Sequence, residues 1–235
     1  MTESDVRAVL ADRLAGVRDR IAVAARRAGR DPAAVTLVAV TKTTTPAVAA
    51  VAFGLGAVDL GEGRPQELWA KAETLRVARW HLVGHLQRNK VDRTVPLASL
   101  IHSVDSERLL AALDDFGQKR GSPVPLLLEV NCSREVAKGG FIPDALPALA
   151  DALPTLTGVA VRGLMTMAAY SDDPAAARPT FAELRLLRDR LRTATGLPLP
   201  DLSMGMSGDF EVGVEEGATL VRVGSTIFAG LPALE

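Results

Sequence analysis

Lys42, Arg222 and two short turns, Ser207-Gly208 and Gly224-Ser225-Thr226, are the residues of this chain whose types could together do chemistry. Lys42 lies in VAVTKTTTP (residues 38–46), where an apolar, β-branched run from Val35 to Val40 meets an amine. A lysine held among apolar walls has its pKa depressed and becomes a competent amine nucleophile. In the two turns, glycine lets the backbone approach an anion closely, while hydroxyls and exposed N–H groups satisfy its oxygens. Arg222, in LVRVG, shares a face with Leu220 and Gly224 at period two, with Val221 and Val223 on the other face. If the valines meet a helix layer, the guanidinium points into a core, which is costly unless it is ion-paired or bonded to a ligand. Each feature has a plainer reading, as a Gly/Ser turn or an internal ion pair. Together, an amine and a phosphate cradle suit an aldehyde that also carries a phosphate. Pyridoxal phosphate and a sugar phosphate bound as a Schiff base both fit, and spacing does not choose between them.

The elements that must position these residues alternate. Val6, Leu10, Leu14, Val17 and Ile21 recur at helical spacing, and Gly29 followed by Asp31-Pro32 stops that helix. Strands are then expected near 35–41, 57–61, 80–84, 100–104, 125–131, 159–166, 202–206 and 220–224. Amphipathic helices are expected between them, among them 64–77, 106–120, 143–152 and 174–193. Alternating units imply a parallel sheet, and eight of them at this length fit a closed (β/α)8 barrel. No G-x-G-x-x-G follows the first strand, which weighs against an open dinucleotide-binding sheet. With no linker or low-complexity stretch, residues 1–235 read as one domain.

In such a barrel the chemistry sits at the C-terminal strand ends, and phosphate sites are commonly built from the loops after strands seven and eight. Lys42 ends strand one, and the two Gly/Ser turns follow strands seven and eight. The other ends are polar too: GEG with Glu62, GHLQRNK, HSVDS and EVNCS. The 235 residues are 48% hydrophobic and 23% charged with net charge −1, an ordinary globular composition without the basic excess that draws nucleic acid or an anionic membrane. The single cysteine, Cys132, rules out an internal disulfide and suits a reducing compartment. The polar start MTESDVRAVL lacks a signal-peptide pattern, and no apolar run approaches the roughly 20 residues that span a bilayer. The expectation is a cytoplasmic protein.

Several blocks resemble one family. VAVTK, WHLVGHLQRNK, IHSVDS, RGLMTM and LSMGMSGDFEVGVEEGATLVRVGSTIF are similar to the pyridoxal phosphate homeostasis proteins, in the family's order from about residue 35 to 229. The resemblance implies a single barrel like the N-terminal domain of alanine racemase, with an extra N-terminal helix. It implies that pyridoxal 5'-phosphate is held as a Schiff base on Lys42, its phosphate on Ser207, Gly224 and Ser225, and its pyridine nitrogen facing Arg222. Lys138, in SREVAKGG, matches a lysine proposed as a secondary acceptor. Three stretches depart from the family pattern: GEG has Gly63 where asparagine is common, KTTTP is one residue longer after Lys42, and IFAGLP lacks an arginine.

By the same resemblance the protein is a non-catalytic carrier involved in cofactor homeostasis, a monomer with pyridoxal-phosphate-dependent apo-enzymes as candidate recipients. The alternatives are an amino-acid racemase, which needs a base opposite the lysine and has only Tyr170 to offer, and a Schiff-base aldolase. His81 and His85 lack a third ligand and read as structural residues, so no metal is expected.

Overall fold

The computed structural model describes residues 2–234. A 25-residue helix, α1 (Glu3–Arg27), opens the chain, with Thr2 and Asp5 forming a reciprocal capping box and Arg26 and Arg27 in its last turn. Asp31 then caps a single 3-10 turn at Pro32–Ala34, which delivers the chain into the sheet. Eight parallel strands follow and close in sequential order: β1 (Thr36–Val40), β2 (Asp59–Glu62), β3 (Arg79–Leu82), β4 (Leu100–Val104), β5 (Val124–Glu129), β6 (Val159–Met165), β7 (Asp201–Ser203) and β8 (Leu220–Val223). The closing pair is β1 with β8, in the register Val38 to Arg222 and Ala39 to Val223. The expected (β/α)8 barrel is therefore the observed fold.

The crossovers are uneven. Helices α2 (Pro46–Gly54), α3 (Pro65–Thr74), α5 (Glu107–Arg120) and α6 (Arg178–Thr195) cover their strands, while α4 (Val91–Thr94), α7 (Phe210–Glu215) and α8 (Ser225–Phe228) are short. Residues expected as a helix over 143–152 instead form a 3-10 helix at Pro143–Leu149. Pro147 inside that segment removes an amide donor and crowds the preceding turn, which an α-helix does not tolerate.

The additional α1 has a structural reason. With only four residues in α8, the apolar outer face at the barrel's seam would lie bare, and α1 packs there against α2, α7 and α8. Its Val6, Leu10, Leu14, Val17 and Ile21 are buried, as their spacing predicts. Arg13 donates to the carbonyls of Ile227 (3.0 Å) and Ala229 (2.8 Å), fastening the end of the chain.

Two apolar layers result. The larger lies between sheet and helices and includes Val221 and Val223. A small plug of Val38, Leu100, Leu127, Met165 and Leu220 fills the barrel interior. Above it the interior turns polar.

Candidate functional site

Lys42 follows β1 on a turn at residues 41–45, and that turn is fastened from below. Thr41 is buried; its amide continues the ladder to the Gly61 carbonyl at 2.9 Å, and its hydroxyl donates to Glu62. Glu62 is held by the ammonium of Lys71, from α3, at 2.6 Å, and the same ammonium donates to the Thr41 carbonyl at 2.7 Å. The threonines that follow share the remaining work: Thr44 donates to the Thr41 carbonyl and Thr45 caps α2, with Pro46 in its first turn. Lys42 itself projects from this anchor as an exposed side chain. The apolar walls expected around it are absent, because the strand has ended two residues earlier and the chain has left the barrel.

At the neighbouring strand ends the two Gly/Ser turns meet. The Ser207 hydroxyl accepts from the backbone N–H groups of Gly224 (3.2 Å) and Thr226 (3.3 Å), so both loops converge on one point. Gly224 lies against β1, since a Cβ there would come within 3.1 Å of the Val40 carbonyl. The cradle therefore abuts the strand that leads into Lys42. Ser225 is exposed, with its side chain free of bonds among the described residues; Thr226 faces Ser207 more directly than Ser225 does.

Arg222 points into the barrel, as its period-two position predicts, and is only 4% exposed. No carboxylate lies within ion-pairing distance of it among the described residues. Instead its guanidinium donates to the Ser203 hydroxyl at 2.5 Å and to the Thr166 carbonyl at 2.9 Å. Burial lowers its pKa to about 10, against the opposing pull of Glu129 and Asp209 at longer range. Glu129, near the top of β5, is pushed upward by burial and by Asp105.

Between the loops after β5, β6 and β7 lies a cavity of about 320 Å³, lined by Lys138, Met167, Tyr170, Met206 and Asp209 among others. Lys138 donates to the Ala168 carbonyl at 2.8 Å and pairs with Glu135. Tyr170 is exposed on the rim, and its hydroxyl donates to Asp172 at 3.0 Å.

Over residues 13–232 the chain matches the alanine racemase N-terminal domain family. It is 41% identical to the pyridoxal phosphate homeostasis protein of Aquifex aeolicus, over 92% of this chain and 96% of that one. The chain belongs to the pyridoxal phosphate homeostasis protein family. Among solved structures, PipY from Synechococcus elongatus, with PLP bound, superposes with a TM-score of 0.82 at 35% identity, covering 94% of this chain and all of that one. A protein of unknown role from Bifidobacterium adolescentis superposes at 0.90 with 37% identity, covering 97% and 98% of the two chains.

Within this homeostasis family frame, three polar residues of the site escaped the sequence reading. Glu62 read as a group at the mouth, yet it shares a strand face with the outward Leu60 and serves as a buried strut against Lys71. His102, in the polar strand end HSVDS, and Ser203, in SMGMSGD, lie in β4 and β7, and the local sequence singles neither out from its polar strand end. His81 and His85 prove to be hydrogen-bonded, to Asp59 and Asp105 respectively. Among the described residues no cluster of metal-ligating side chains forms.

Proposed function

We propose that this protein binds pyridoxal 5'-phosphate (PLP) and holds it, through Lys42, as part of intracellular PLP homeostasis without turning over amino acids. The observation that carries the reading is the meeting of the Ser207, Gly224 and Thr226 groups at a strand end adjoining the one that bears Lys42.

The donor set fits the cofactor. The Ser207 hydroxyl, held by the Gly224 and Thr226 N–H groups, has no acceptor for its own proton among the described residues and suits a phosphate, Lys42 is an accessible amine, and the buried Arg222 has no anionic partner among the described residues. When bound, PLP supplies an aldehyde that condenses with a lysine amine and a ring that withdraws electrons. Lys42 offers that amine, the Thr41–Glu62–Lys71 cluster fixes its backbone, and the cradle sets the distance at which the phosphate stops. Arg222 cannot accept a proton from its neighbours, so it disfavours the protonated pyridine that amino-acid chemistry exploits. Tyr170, the base that a racemase would require, is spent on Asp172 at the rim.

Borohydride reduction of the PLP-loaded protein followed by peptide mass spectrometry is expected to place the adduct on Lys42. An adduct confined to another lysine would overturn the assignment. For the racemase alternative, the loaded protein is incubated with L-amino acids in deuterium oxide. Racemisation at enzymatic rates, lost in Tyr170→Phe, would replace the carrier reading with an enzyme.

A further inference from the structure

We propose that Asp59, His81, His102 and Ser203 form one hydrogen-bond chain of fixed direction that positions Arg222 and supplies its counter-charge from the opposite end of the barrel. The links run through the interior from β8 to β2. Arg222 Nη1 meets Ser203 Oγ at 2.5 Å, Ser203 Oγ meets His102 Nδ1 at 2.8 Å, His102 Nε2 meets His81 Nδ1 at 2.9 Å, and His81 Nε2 meets Asp59 Oδ1 at 3.0 Å. Asp59 also takes a two-point contact from Arg79, at 2.7 and 2.6 Å.

The ends of the chain dictate its polarity. A guanidinium only donates, so Ser203 must accept from Arg222. The serine's own proton then has one partner within reach, His102 Nδ1, which must be unprotonated. His102 therefore carries its proton on Nε2 and donates it to His81 Nδ1. His81 in turn is left with an Nε2 proton, which faces the Asp59 carboxylate. Both histidines are neutral Nε2–H tautomers, and every donor has an acceptor. Burial first, with the nearby Arg222 guanidinium adding to it, disfavours the charged form of His102, consistent with that assignment. The other charged groups that act on the chain's ends are Glu129 and Asp209 at Arg222 and Arg79 at Asp59.

A buried cation without an adjacent anion thus gains its compensation through polarised bonds, and its two anchored N–H groups fix the plane of the guanidinium. Each relay residue must both donate and accept. Glutamine can do this and leucine cannot, which separates the role of the chain from mere filling of space.

The consequence for the ligand rests on the PLP-binding reading, whereas the chain itself does not. In 15N-labelled full-length protein without PLP, imidazole nitrogen shifts at neutral pH are expected to show the ring proton on Nε2, with Nδ1 unprotonated, in both His81 and His102. An Nδ1–H or cationic form of either would overturn the chain. Spectral titration with PLP then compares His102→Gln and His102→Leu. Leucine is expected to weaken binding on the order of 10-fold, with glutamine within about threefold of the unaltered protein. Equal affinities in all three proteins, or equal losses in both variants, would overturn the positioning role. If the unaltered protein shows no PLP band, the function proposed above fails while the tautomer assignment is still decided by the nitrogen shifts.

Discussion

At Ser207 a single hydroxyl accepts from two backbone N–H groups of the loop after β8, and under the proposed function this one side chain would be a main phosphate contact. Hydrogen bonds to a charged group contribute about 1.5–3 kcal/mol each, so Ser207→Ala should raise the Kd for PLP about 10- to 100-fold. The Kd for unphosphorylated pyridoxal should not change, and spectral titration of both ligands checks the contrast; an equal loss for both would place Ser207 away from the phosphate. Cys132 illustrates the opposite case, a reactive residue type made inert by its surroundings. Burial pushes its thiol up to about 12, so below that range it stays protonated. A thiol-reactive dye at about pH 8 should leave the native protein unlabelled and react after denaturation. Labelling of the folded protein at the rate of a free thiol would contradict the burial.

The elements were largely legible because each strand is a compact apolar run and each major helix an amphipathic one. The 3-10 helix at Pro143–Leu149 departs from that pattern because one proline overrides the periodicity around it. Period two placed Arg222 inside the barrel from its neighbours alone, whereas the partners of His102 and Ser203 come from strands far apart in sequence. Their meeting depends on closure of the sheet, which no local window contains. Close packing between elements is also invisible locally. Gly117 in α5 faces Gly158, just before β6, and a Cβ on Gly117 would fall 1.7 Å from the Gly158 carbonyl oxygen. Alanine is ordinarily the better helix former by about 1 kcal/mol, yet here the overlap must push the helix off the sheet. Gly117→Ala should therefore lower unfolding stability by about 1–3 kcal/mol in a urea titration. A variant as stable as the original would show that α5 and β6 sit farther apart than they do here.

Over the whole molecule, closing eight strands around a polar interior couples stability to pH through a group that never reaches solvent. His102 has no exposure and is held neutral, its pKa well below the ordinary 6.5. In the unfolded chain it takes up a proton below about 6.5, while in the folded chain it does not, so the unfolded state binds more protons as the pH falls. Stability from this group is complete above that value and declines below it, with a limiting slope of about 1.4 kcal/mol per pH unit. Asp59 acts lower on the scale. Burial raises its pKa, but bonds from His81 and Arg79 outweigh this and bring it to about 2 from 3.8, so its contribution is lost only as the pH falls through that interval. Glu129 and Asp209, both raised chiefly by burial, work in the other direction as they take up protons in the folded state. Between about pH 6.5 and about pH 5.5, above most carboxylate titration, the imidazole dominates. Urea midpoints across that interval should fall by an amount equivalent to about 1 kcal/mol, and His102→Gln should flatten the decline whatever it does to stability at neutral pH. A decline of unchanged steepness in the glutamine variant would mean that the proton is taken up elsewhere and that His102 is not the group that the fold keeps neutral.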